Sequence, residues 1–216
     1  MPPAKPLHIL LLRHGQTDAN ATGVLQGHLP VPLNELGRRQ ADLLARRVAR
    51  HRPRVTALVS SDLARAAQTA EPVAAACGLA PVYDAAWRER GFGQLEGTHV
   101  GEREIWRAAH GEADPPGAET LADFRARVQG ALLSVARQLA GHEAVAVVTH
   151  GGPVGIVLRL LADGTLPSAG AAPAAEGVRP GNCSVLELIV EHGEWRVACV
   201  NDVAHLDDLA TETDSG

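Results

Sequence analysis

The sequence predicts an α/β fold: a mainly parallel central sheet with helices on both faces, closed by a C-terminal β-hairpin. Two observations carry this reading. Short apolar runs at 7–12, 55–60 and 144–149 have the length and continuity of strands buried on both faces. Helical patterns fall between them at 34–51, 62–77 and 119–140. Strands alternating with helices of this length imply right-handed crossovers and a parallel sheet covered on both sides.

Residues 1–6 are expected to be a flexible N-terminus, and a single domain to run from 7 to 206. The first strand, Leu7-His8-Ile9-Leu10-Leu11-Leu12, stops at the polar Arg13-His14-Gly15. Asn34 is a suitable N-cap for the first helix, because its short side chain can accept from a free backbone N–H of the opening turn. Gly78 ends the second helix and Gly141 the third. In the third, Leu121, Phe124, Val128, Leu132, Val135 and Leu139 recur at steps of three and four, forming one apolar stripe. The glycine-rich stretch 87–97 fits neither a plain helix nor a strand, and 97–120 is expected to form a lid. A further helix should begin just after Gly151-Gly152. The segment 163–180 is rich in Ala, Gly and Pro without periodicity, the pattern of a mobile loop. Two β-like runs at 183–190 and 195–200, joined by His192-Gly193-Glu194, predict the hairpin at one side of the sheet. The acidic, polar tail 207–216 is expected to fray.

Composition narrows the function. The 216 residues carry 20 basic and 25 acidic side chains, a net charge of −5, and six aromatics. A nucleic-acid partner is therefore not expected: there is neither a broad basic face nor an aromatic stacking platform. Arginine outnumbers lysine nineteen to one, Lys5 being the single lysine, most simply a high-GC coding signature. Cys77, Cys183 and Cys199 form no close pair, which argues against a disulfide framework or a cysteine zinc site and fits a reducing compartment. The first apolar run is too short for a signal-peptide core or a membrane span. The expected setting is the cytoplasm, without a membrane partner, and a homodimer is left open.

In a doubly wound sheet, ligands bind beyond the carboxyl ends of the strands. The three strands deliver Arg13-His14-Gly15-Gln16-Thr17-Asp18-Ala19-Asn20, Ser60-Ser61-Asp62-Leu63-Ala64-Arg65 and Thr149-His150-Gly151-Gly152 to one rim. Two histidines and two arginines suit a phosphate group. Guanidinium forks match its oxygens, and a helix N-terminus after His150 adds its positive end. A neutral imidazole can attack phosphorus and carry the phosphoryl group, while a second histidine and the arginines balance the charge of the transferring group. Glu89, in the glycine-rich loop, is the best donor for the departing alcohol, with Glu96 a nearby competitor. Seven other histidines, His8, His28, His51, His99, His110, His142 and His192, show no metal-ligand spacing and are read as surface or packing residues, His205 and Asp202 as local hydrogen-bonding residues, and Trp87, Trp106 and Trp195 as packing groups.

These motifs resemble those of the histidine phosphatase superfamily, the phosphoglycerate-mutase-like proteins. Arg13, His14, Gly15, Thr17 and Asn20 match the family's opening pattern. Gln26-Gly27 and the stretch 32–41, the block 60–70 with Arg65, the spacing of Glu89, Gly93, Glu96 and Gly97, His150-Gly151-Gly152, and 201–206 follow in the family's order. The resemblance runs from about 7 to 206. It implies a three-layer sandwich in which His14 is the phosphorylated nucleophile, Arg13, Arg65 and His150 form the phosphate pocket, and Glu89 is the acid/base. It also implies that Asn20 and the Gly151 backbone hold phosphate oxygens, that Thr17, Gln26 and Gly27 face the substrate, and that no metal or other cofactor is needed.

The sequence departs from the family in three places. Leu95 stands where many members have Trp, and Gly152 where the cofactor-dependent mutases usually have Asn. The lid lacks the lysine and paired arginines that mutases use on a bisphosphate, offering Arg103 and Arg107. The expected activity is hydrolysis of a small phosphorylated metabolite, a phosphomonoester. The alternatives are a cofactor-dependent phosphoglycerate mutase and a non-catalytic phospholigand-binding protein of the same fold.

Overall fold

A computed structural model of the chain describes residues 5–111, 113–169, 178–207 and 209. In chain order the elements are β1 (Leu7–Arg13), α1 (Asp18–Ala21), α2 (Glu35–Ala49), β2 (Val55–Ser60), α3 (Ala64–Cys77), β3 (Val82–Tyr83), α4 (Val100–His110), α5 (Leu121–Gln138), β4 (Ala144–Thr149), α6 (Gly151–Ala162), β5 (Val185–Glu191) and β6 (Glu194–Asp202). The six strands form one sheet in the order β3-β2-β4-β1-β5-β6. The first four run parallel, and β5 and β6 add an antiparallel edge.

Strand β4 has all six residues buried, as its central place requires. On β1 the side chains alternate between two cores. Leu10 and Leu12 pack with Leu44 of α2 and Val73 of α3, while Ile9 and Leu11 pack with Phe124 and Leu132 of α5 and Val157 of α6. Both faces of the sheet are thus covered, and the apolar stripe read on α5 is the face that closes the second core.

Element bounds differ from expectation where local chemistry intervenes. Helix α3 starts at Ala64, not at 62, because Asp62 forms a two-point ion pair with Arg88 and Ser61 turns toward His150. Strand β5 begins at Val185 because Cys183 has a positive φ of 55° and its N–H bonds to the His14 carbonyl. The hairpin turns at His192-Gly193, where φ is +52° and +84°, the two left-handed residues a tight hairpin favours. Three elements went unsignalled. Helix α1 has four residues, β3 has two, and α4 in the lid is amphipathic but has no buried residue.

The expected mobile loop is tied down at its start. Leu166 is buried, Trp195 N–H donates to the Pro167 carbonyl, and Ala169 N–H donates to the Trp195 carbonyl, extending the β6 edge. Residues 170–177 lie outside the described residues, as do 1–4 of the expected flexible N-terminus and most of the expected tail. Among the described residues no helix is long and apolar enough to cross a membrane.

Candidate active site

The site is assembled at the carboxyl ends of the three longest parallel strands. His14 follows β1, with its N–H on the Thr149 carbonyl at the end of β4. His150 follows β4 and caps α6, and Arg65 projects from the first turn of α3, after β2. The two imidazole centroids lie 5.0 Å apart. A close backbone approach sets this corner: a Cβ on Gly15 would stand 2.4 Å from the Gly37 carbonyl oxygen, so α2 can press against the loop only where both residues lack side chains.

His14 is buried, and its Nδ1 lies 2.7 Å from the Gly15 carbonyl oxygen. A carbonyl only accepts, so Nδ1 carries the proton and the lone pair sits on Nε2. Burial, then the charges of Arg65 and Arg13, hold the ring's pKa well below 6.5. The ring is therefore neutral, with its lone pair on Nε2. His150 is also buried and held well below 6.5, by burial and then Arg65, and its Nε2 contacts the Ser61 hydroxyl at 2.8 Å.

Arg65 is almost fully buried and donates to the carbonyls of Gly27 at 2.8 Å and Leu29 at 3.1 Å. Burial lowers its pKa to about 10, leaving it cationic at neutral pH. Arg13 reaches the Pro180 carbonyl. What these groups leave unused is informative. Arg13 Nε, Arg65 Nε and His150 Nδ1 are buried without a protein partner. Buried donors left unpaired are costly, and an oxyanion among them would satisfy all three.

Glu89 accepts from the Gly152 N–H at 3.0 Å and from the Arg90 N–H at 2.9 Å, so its carboxyl sits beside the start of α6. Glu96 instead accepts from the N–H groups of His28 and Phe92, both at 3.0 Å, stapling two loops together. Of the two carboxyls, Glu89 adjoins the histidine and arginine cluster. Asn20 Oδ1 takes bonds from Thr17 and Asn182, which leaves its amide NH2 as the group for an anion. Gln26 is buried with its Oε1 unpartnered, next to Gly27. Gly151 opens α6. Thr17 is fully buried and its hydroxyl caps α1, accepting from Asn20 N–H and donating to Asn20 Oδ1, so it holds Asn20 in place.

Two contributors were missed. Ser61 stood inside a recognised motif, so its bond to His150 could have been anticipated. Arg127 gave no signal, being one polar residue on the outer face of an amphipathic helix. It donates to the carbonyls of Ala86, Arg88 and Glu89 and is held by both oxygens of Glu119. Arg127→Ala should release the Glu89 loop and lower kcat on the order of 10²-fold with little change in KM. Lysine at this position should restore little, since one ammonium cannot reach three carbonyls and a carboxylate. Steady-state kinetics on an alkyl phosphate checks both.

The neutral histidines also set a pH dependence. Unfolded histidine protonates near pH 6.5, whereas folded His14 and His150 do so well below it, so the unfolded chain binds more protons in that window. Stability is therefore full above about pH 6.5 and falls with decreasing pH. Urea unfolding between pH 7 and 5 should show this slope, and His14→Gln should flatten it.

Fold and site together define an α/β protein with two buried histidines and two arginines gathered at the carboxyl edge of its parallel strands. The profile of the histidine phosphatase superfamily (branch 1) matches residues 9–203, and the chain belongs to that family. It is 35% identical over 215 residues to the "Probable phosphoglycerate mutase GpmB" of Yersinia pestis (strain Pestoides F), covering 93% of this chain and 95% of the relative. The mycobacterial glucosyl-3-phosphoglycerate phosphatase solved in complex with VO3 superimposes with a TM-score of 0.73 at 29% identity, covering 90% of this chain and 98% of that one. Bacillus stearothermophilus YhfR does so with 0.78 at 27%, covering 93% and 99%.

Proposed function

We propose that the protein is a phosphomonoester hydrolase acting on a small phosphorylated metabolite through phosphohistidine at His14, without a metal or cofactor and in the cytoplasm. The observation that carries this reading is the set of unpartnered buried donors around a neutral histidine. In the first step the His14 Nε2 lone pair attacks phosphorus, a P–N bond forms, and the P–O bond to the alcohol breaks. Glu89 gives its proton to the departing oxygen. In the second step Glu89 takes a proton from water, whose oxygen attacks phosphorus and displaces Nε2. Arg13, Arg65, His150 and the N-terminus of α6 stabilise charge on the equatorial oxygens throughout, with Asn20 and the Gly151 N–H holding oxygens and Gln26 and Gly27 facing the substrate.

A mutase is the second reading, because the Yersinia relative is described as a probable phosphoglycerate mutase. Re-transfer requires holding a bisphosphate, and so additional unneutralised cations. Around the acid loop, Arg88, Arg90 and Arg127 are committed to Asp62, Asp114 and Glu119. Arg103 lies over the Phe92 ring with Arg90, Arg107 and Arg159 nearby, so the preference for release of phosphate to water rests on the lid's lack of a lysine and of the paired arginines that mutases use. A phosphate-release screen over metabolite esters, with and without chelator, should find a chelator-insensitive hydrolysis. Turnover of 3-phosphoglycerate that depends on added 2,3-bisphosphoglycerate and releases little phosphate would establish the mutase instead.

A further inference from the structure

Far from this rim, the fold gathers three groups that the linear sequence keeps apart. His8 near the start of β1 and His51 just beyond α2 both face Glu187 of β5, 179 and 136 residues away along the chain. His8 Nδ1 lies 2.7 Å, and His51 Nε2 3.1 Å, from the same oxygen, Oε1. All three side chains are largely buried, at 13–17% exposure. His8 and His14 are six residues apart on one extended segment, which puts this cluster about 20 Å from the nucleophile.

We propose that His8 Nδ1, His51 Nε2 and Glu187 Oε1 form a binding site for one divalent transition-metal ion with zinc-like ligand preference. The donor set, two imidazoles and a carboxylate with one position open, is among those zinc accepts. His51 supplies the second observation. Its Nδ1 is 2.7 Å from the Pro53 carbonyl oxygen, so Nδ1 carries a proton and Nε2 of the neutral ring presents its lone pair inward. A ligating histidine anchored through its other nitrogen to a backbone carbonyl is the usual outer-shell arrangement of metal sites. That lone pair meets a carboxylate oxygen, a contact that is favourable only when a cation lies between them, either a proton or a metal. Metal binding breaks the Nε2–H bond of His51 and the Nδ1–H bond of His8 and forms two metal–nitrogen bonds; His8 is protonated instead at Nε2, and the His51 proton passes to solvent.

The geometry needs little adjustment. A tetrahedral ion with bonds of 2.0–2.1 Å separates its ligands by about 3.3 Å, so the His8–Glu187 contact opens by about 0.6 Å and the His51–Glu187 contact by about 0.2 Å, while the two nitrogens, which lie within 4.8 Å of each other, settle to the same spacing. Arg47 is paired with Asp202 at 2.6 Å. His51, unlike His8 and Glu187, also lines a cleft of about 580 Å³ shared with Arg46, Arg47 and Arg50, so an ion entering from that side passes a basic rim. The ion would tie α2, β1 and β5 together without touching the catalytic groups.

Co2+ titration of the chelator-treated full-length chain, followed by its visible absorption, tests the site. One equivalent with four-coordinate bands and release of a proton is expected. Affinity should fall by more than about 100-fold, beyond the loss of an outer partner, in His51→Gln and in Glu187→Gln, and stay unchanged in His14→Ala. His8→Gln stands in should either variant fail to fold, as judged by circular dichroism. No saturable binding would overturn the proposal, and so would binding that survives these substitutions. Binding abolished by His14→Ala would place the ion in the catalytic pocket instead.

Discussion

Replacing His14 with alanine should remove turnover by ~10⁴-fold or more, the scale on which loss of a covalent nucleophile shows in other enzymes. The expectation rests on the state of the ring. Its Nδ1 proton is fixed on the Gly15 carbonyl, and burial with Arg65 and Arg13 keeps it unprotonated, so Nε2 is available as a nucleophile across the neutral range. The acid limb of kcat/KM should accordingly lie well below pH 6.5. Rapid quenching with a labelled phosphate ester should trap label that is stable in base and lost in acid, the signature of a P–N bond, and peptide mapping should place it at 14. His14→Ala should retain no label while still binding phosphate through Arg13, Arg65 and His150. Label at His150, or wild-type turnover by the alanine variant, would require a different mechanism.

The parts of this machine that could be read from sequence are those carried by patterns short enough to be local. The strand leading to His14 announces itself by five apolar residues in six, interrupted by His8, and the strand leading to His150 by five apolar residues before Thr149. Because parallel strands deliver their following residues to one edge, the convergence of Arg13, His14, Arg65 and His150 followed from topology alone. The rest depends on contacts distant in sequence. Arg127 acts on a loop 38 to 41 residues away, through carbonyls that any residue would present. The capping of α1 by Thr17 was hidden because a hydroxyl near a phosphate pocket and a hydroxyl capping a short helix have the same sequence signature. The lid helix α4 went unassigned although it is amphipathic, because its eleven residues were read together with the flanking loops as one lid. The choice between Glu89 and Glu96 is also tertiary, since it turns on which backbone N–H groups each carboxyl reaches.

That choice has a direct consequence for the leaving group. Glu89→Gln keeps shape but removes the transferable proton, so alkyl phosphates, whose departing oxygen must be protonated, should slow by roughly 10²–10⁴-fold. Aryl phosphates such as p-nitrophenyl phosphate depart as stable phenolates and should change far less. Gly152 provides an independent route to the same outcome. A Cβ at this position would stand 1.9 Å from Glu89 Oε1 and 3.0 Å from the Phe124 ring. The carboxylate is the flexible partner, so it is the one that yields, leaving the Gly152 N–H that now holds it. Gly152→Ala should therefore reproduce the leaving-group pattern of Glu89→Gln with the acid still present, and the double variant should be little worse than either alone, because both changes act on one group. Equal slowing of alkyl and aryl esters by Glu89→Gln would move the proton to Glu96 or to water. Additive losses in the double variant would mean that Gly152 acts on the α6 N-terminus, and so on the phosphate itself, and not through Glu89.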